Sequence, residues 1–114
     1  YWHTDFLQKY GYQAEEIKPN GLLLGYPVIT AGKYAHRGSI VNLLGKDKAN
    51  EIEYLNEVSL ELHVDRFTPP SFIWHTATDD VVPVNNSLMF ANALKQNDVE
   101  FAKNVGNTFL SERK

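Results

Sequence analysis

Apolar residues at Trp2, Phe6, Leu7 and Tyr10 recur at the spacing of one helix face, so residues 2–10 predict the tail of an amphipathic helix that Gly11 ends. Residues 14–17 add one further turn before Pro19-Asn20-Gly21 stops it. The pattern then changes. Residues 21–26 form an apolar run without alternation, closed by Pro27, which suits a strand buried on both faces of a parallel sheet. Residues 71–75, preceded by Pro69-Pro70 and followed by a polar stretch, have the same character. These two runs are predicted as the central strands. The 44 residues between Tyr26 and Ser71 are too many for a simple loop and hold helix-like pieces at 40–44, 49–55 and 59–63. Residues 27–68 therefore predict a long crossover or lid-like excursion. Pro83 suits a first helical turn, and Val84, Leu88, Ala91 and Leu94 follow at helical spacing to about Gln96. An edge strand is predicted over residues 99–102. Strand, crossover, strand, helix and strand define an α/β fold with a mostly parallel sheet.

Composition narrows this picture. The 114 residues suit one domain, and 43% hydrophobic with 12% aromatic content argues against disorder. Eleven basic and fourteen acidic side chains leave a charge of −3, which predicts no nucleic-acid partner. No apolar run approaches the roughly 20 residues of a membrane span, and no amphipathic basic face suggests a membrane surface. The absence of Cys removes disulfides, Cys-based zinc sites and a thiol nucleophile. Compartment stays open, with the cytoplasm favoured. No repeat, low-complexity tract or linker divides the chain.

In a parallel sheet, chemistry gathers on loops leaving the carboxyl ends of the strands. Here these are residues 27–32 and 75–83. The second is the more informative, because an acidic residue in a tight turn past a buried strand can orient a His arriving from a later loop. The same residue can instead cap the turn or the following helix. His75 reads as a strand-end residue, and His3 and His63 have no partner at metal-ligand spacing. No H-E-x-x-H, phosphate-binding Gly-rich loop or dinucleotide fingerprint occurs, so neither metal nor cofactor is expected.

Residues 72–88 (FIWHTATDDVVPVNNSL) resemble the acid-loop segment of α/β-hydrolase esterases and lipases. Residues 21–32 (GLLLGYPVITAG), with Ala35-His36-Arg37-Gly38-Ser39 and Asn42-Leu43-Leu44-Gly45, resemble the preceding strand and lid of the acetylesterase or acetylxylan-esterase-like branch. The resemblance spans about residues 3–101 and implies a three-layer α/β/α fold that hydrolyses small acyl esters, acetylated sugars among them, without a cofactor. It implies Asp79 as the triad acid, with Asp80 the neighbour that confuses the assignment. His36 is the candidate substrate contact at the mouth of the site, or else a solvated loop residue.

The other triad members are harder to find. None of Ser39, Ser59, Ser71, Ser87 or Ser111 stands in the G-x-S-x-G elbow of this fold. No His follows residue 101, where the resemblance implies the base, and the His-Gly-rich oxyanion segment is also missing. The expectation is a C-terminal fragment over residues 1–114, inactive alone, with a divergent tail at 102–114 from a frameshift or a misplaced boundary. Two other readings remain. One is a non-catalytic remnant or interaction module; the other is a flavodoxin-like binding domain that contacts a ligand through residues 76–80.

Overall fold

Alternation decides the middle of the sheet. Along β2 (Ser71–Thr76), Ser71, Ile73 and His75 are buried on one face, while Phe72 on the other face is exposed. The computed structural model describes residues 6–106. β2 lies between β1 (Leu22–Gly25) and β3 (Phe101–Gly106), parallel to both, in the order β1-β2-β3. The register aligns Leu22 with Ser71 and Phe101, and Leu24 with Ile73 and Lys103. Beyond the ladder, the Ala77 amide donates to the Gly106 carbonyl.

The chain begins with two short helices, α1 (Phe6–Tyr10) and α2 (Ala14–Ile17). Residues 2–5 of the predicted N-terminal helix lie outside the described residues. Between β1 and β2 run α3 (Arg37–Leu44) and α4 (Ile52–Val58), with 3-10 turns at Lys48–Asn50 and Leu60–Leu62. α5 (Asn85–Gln96) joins β2 to β3. The α/β architecture with a long helical excursion is as the sequence predicts.

Two apolar clusters hold these pieces. Ile73 from β2 packs with Ile29, Val99 and Phe90, Ala91 and Leu94 of α5, flanked by Leu22, Leu24 and Phe101. The excursion has its own small cluster of Ala31, Ile40 and Ala49, joined by Val41, Leu44, Leu55 and Val58. Gly45, at φ 87, ends α3 and returns its amide to Val41, a conformation that costs glycine little.

Three details differ from the sequence reading. β1 is an edge of the sheet among the described residues, and its burial alternates, leaving Leu23 77% exposed. An unbroken apolar run does not by itself distinguish a strand covered on both faces from one covered on one. Next, β3 starts at Phe101, not at Val99, and runs on to Gly106. Val99 is apolar because it plugs the core from the turn after α5, where Asp98 takes φ 57 and the Val99 amide returns to the Leu94 carbonyl. Finally, α5 is rotated from its predicted face: Asn86 and Ser87 are fully buried while Leu88 is 37% exposed.

Candidate functional site

Past the carboxyl end of β2 the chain turns sharply, and Asp79 makes the turn. Its amide donates to the Thr76 carbonyl at 3.1 Å, and its Oδ1 accepts from the amides of Val81 (2.8 Å) and Val82 (2.9 Å). A short side chain accepting from amides two and three residues ahead is the local signature of Asp in a turn. The Val82 amide chiefly holds the Asp79 carboxyl below its ordinary value of 3.8, helped by the Val81 amide and by His75 and opposed by partial burial. Both amides use one oxygen. Oδ2 has neither of them, and its nearest titratable neighbour is His75 Nε2 at 3.6 Å, beyond hydrogen-bond length. The carboxyl is 16% exposed, and Asp80 beside it is exposed to solvent. Such a carboxylate is ionised, fixed by one oxygen and able to accept through the other.

His75 itself is committed inward. The ring is buried, its Nε2 is 2.8 Å from the Val82 carbonyl and its Nδ1 is 2.7 Å from Ser87 Oγ. A carbonyl only accepts, so Nε2 carries a proton directed at Val82, while Nδ1 shares the second bond with the Ser87 hydroxyl. The edge of the Tyr26 ring packs against it with centroids 5.3 Å apart. Tyr26 stands just past β1 at φ 49, donates its amide to the Trp74 carbonyl, and meets Thr76 Oγ1 at 2.9 Å through its hydroxyl.

A second buried polar residue ties the two strand-end loops together. Asn86 Oδ1 accepts from the amides of Ile29 and Thr30, and Nδ2 donates to the carbonyls of Tyr34 and Pro83. Ser59 does related work in the excursion, accepting from the Ala31 amide and donating to the Leu55 carbonyl. Sequence reasoning gave no structural role to the side chains of Tyr26, Ser59, Asn86 or Ser87, and weighed the two serines only as elbow nucleophiles. For Asn86 and Ser87 the available signal was a run of three polar residues, Asn85-Asn86-Ser87, just after Pro83-Val84, at the start of a helix that otherwise needs a buried face.

His36 caps α3. Its Nδ1 accepts from the Ser39 amide at 3.2 Å and lies 2.7 Å from Ser39 Oγ, so the half-buried imidazole is engaged with its own helix. Through Ser39 it borders an apolar groove of about 490 Å³, lined by Val28, Ile40, Leu43, Val58 and Leu60 with Glu57 and His63 at its polar positions. Among the described residues no group of three His, Asp or Glu side chains is arranged to hold a metal ion, and no helix is long and apolar enough to cross a membrane.

A parallel sheet, a helical excursion after one strand and an acid turn after the next define the chain as α/β-hydrolase in fold. More narrowly, the BD-FAE family profile matches residues 7–94, and the chain belongs to that family. It is 49% identical over 88 residues to endo-1,4-beta-xylanase B of Butyrivibrio fibrisolvens, covering 77% of this chain and 14% of that protein. Over 83 residues it is 31% identical to the acetylxylan esterase of Xylanibacter ruminicola, covering 70% of this chain and 17% of the relative. Among solved structures, the acetyl ester-xyloside bifunctional hydrolase of Caldicellulosiruptor lactoaceticus superposes with a TM-score of 0.75 at 40% identity, over 79% of this chain and 32% of that one. The chain thus spans less than a fifth of either curated relative and about a third of the solved structure. These likenesses bear out the esterase resemblance carried by residues 21–45 and 72–88.

Proposed function

We propose that these residues form the acid-bearing portion of a serine ester hydrolase acting on small acyl esters, acetylated sugars among them, and that Asp79 is its triad acid. The carrying observation is the division of labour within one carboxylate. Oδ1 makes the turn with Val81 and Val82, while Oδ2 takes part in neither bond and stands 3.6 Å from His75 Nε2. In the proposed mechanism Oδ2 accepts the N–H of an imidazole from elsewhere in the complete protein and fixes its tautomer. It then stabilises the imidazolium formed when that base takes the proton of the attacking serine. The names of the relatives, a xylanase, an acetylxylan esterase and an acetyl ester hydrolase, support an acetylated carbohydrate substrate. On this reading the groove beside Ser39 is the lid-side wall of the substrate site, with His36 at its rim.

The nucleophile elbow and the base lie outside these 114 residues on this reading, so the chain alone does not hydrolyse esters. DNA immediately upstream of the Tyr1 codon tests it: an in-frame G-x-S-x-G within about 30 codons is expected. An upstream frame without that elbow contradicts the proposal. Reading the other frames around codon 102 tests the divergent tail, with a Gly-His loop the expected result.

A second reading is a non-catalytic remnant or interaction module that keeps the sheet without the chemistry. It is favoured by one sequence fact, the lack of any His after His75. A monodisperse 114-residue protein that binds a partner and cleaves no ester supports it against the first.

A further inference from the structure

We infer that His75 is a positioning residue for the acid turn: its buried imidazole, held between the Ser87 hydroxyl and the Val82 carbonyl, fixes the peptide whose amide grips Asp79. The inference rests on the proposed role of Asp79 for its functional meaning, but its geometry stands independently. Val82 is held from both sides, its N–H donating to Asp79 Oδ1 at 2.9 Å and its carbonyl accepting from His75 Nε2 at 2.8 Å. The far side of the ring reaches Ser87 in the first turn of α5, at 2.7 Å. One side chain therefore spans the end of β2, the turn and the helix that follows.

The arrangement is specific to an imidazole. Two polar atoms on opposite sides of a rigid ring must meet a hydroxyl and an acceptor carbonyl at once, in a site only 3% exposed. An apolar ring of similar size fills the space but leaves the Val82 carbonyl and the Ser87 hydroxyl without partners. The Nε2 proton is directed at the carbonyl, and 3.6 Å separates the nitrogen from Asp79 Oδ2. His75 thus steers the carboxylate without capping the oxygen left for another ring. The Tyr26 ring meets the imidazole in an edge-type contact, centroids 5.3 Å apart.

The test is made on the full-length protein, labelled for NMR, with His75→Phe, His75→Gln and Ser87→Ala compared. Two readouts are followed: exchange of the Val81 and Val82 amides relative to the Ile73 amide, and the titration of the Asp79 carboxyl carbon. His75→Phe is expected to speed exchange of both turn amides about tenfold or more, equivalent to about 1.4 kcal/mol, while Ile73 keeps its protection. The Asp79 titration is expected to rise toward 3.8 both as the Val82 amide loosens and as the direct effect of His75 is lost, so the rise in Ser87→Ala, which keeps the imidazole, is the one that reads the turn. Ser87→Ala, the milder change, is expected to act in the same direction by a smaller factor and keeps the test decisive if the Phe variant does not fold. His75→Gln, which can still donate to the Val82 carbonyl, is expected to recover part of the protection. Unchanged turn-amide exchange and an unchanged Asp79 titration in the folded variants overturn the inference, as does a loss of protection equal at Ile73 and the turn. Ester hydrolysis by Asp79→Asn is the separate control: retained activity defeats the triad reading and leaves the positioning result standing.

Discussion

Asn86 is fully buried and uses both polar atoms of its amide twice, on Ile29, Thr30, Tyr34 and Pro83. Replacing it with Ala strands two buried amides and two carbonyls, and a loss of about 2–4 kcal/mol in denaturant unfolding is expected. Asn86→Asp keeps the acceptor but sets a carboxylate against two carbonyls, so it is expected to rescue little. Asp79 makes a different, pH-dependent contribution. Its carboxyl is held below 3.8 in the folded chain, so its stabilisation is fully present above the unfolded value and is lost as pH falls through the folded one. The stability gap between wild type and Asp79→Asn is therefore expected to shrink from pH about 5 downward, as followed by unfolding at several pH values. At this scale the turn that Asp79 makes was legible, since an acid in a tight turn beyond a buried strand is a local pattern, whereas choosing Asp79 over Asp80 as the triad acid rests on the family resemblance. Asn86 was not, because three of its four partners are more than 50 positions away and the apolar phase of Val84, Leu88 and Ala91 pointed to another helix face.

The elements are fixed by a few close approaches. A Cβ on Gly25 would stand 2.5 Å from Trp74 Cζ2, so the indole on β2 lies directly over the end of β1. Gly25→Ala is expected to cost about 1–3 kcal/mol, read as a lower unfolding midpoint, because a bulky ring rather than a flexible tip must move. At the start of α3, His36 takes the place of the usual Ser, Thr, Asp or Asn cap, which explains why the sequence predicts this helix only from residue 40 while the structure begins it at Arg37. In the complete protein, His36→Ala is expected to raise KM severalfold while kcat changes little, if the groove it borders holds substrate. An unchanged KM removes it from the substrate site. The strands were visible as short apolar runs bounded by Pro, Gly and polar residues. Their order was less visible, because β1 and β2 look alike in sequence although only β2 has neighbours on both edges among the described residues.

At the scale of the whole molecule, one sheet face carries the core with α5 while Leu23 and Phe72 stand exposed on the other, at 77% and 42%. Exposed apolar surface on a sheet whose outer strands each pair on one side only among the described residues favours self-association. The isolated 114-residue chain is expected to scatter light at micromolar concentration, and Leu23→Lys with Phe72→Lys is expected to reduce it; a monodisperse wild-type chain with cooperative unfolding contradicts this. The same surface fits a chain that covers about a third of its solved relative. The role of the Asp79 carboxylate is read most directly from steady-state hydrolysis of a small acetyl ester by the complete protein carrying Asp79→Asn or Asp80→Asn. A fall in kcat of about 10³–10⁴-fold for Asp79→Asn beside near-normal turnover for Asp80→Asn is the predicted result, whereas undiminished turnover by Asp79→Asn contradicts the account.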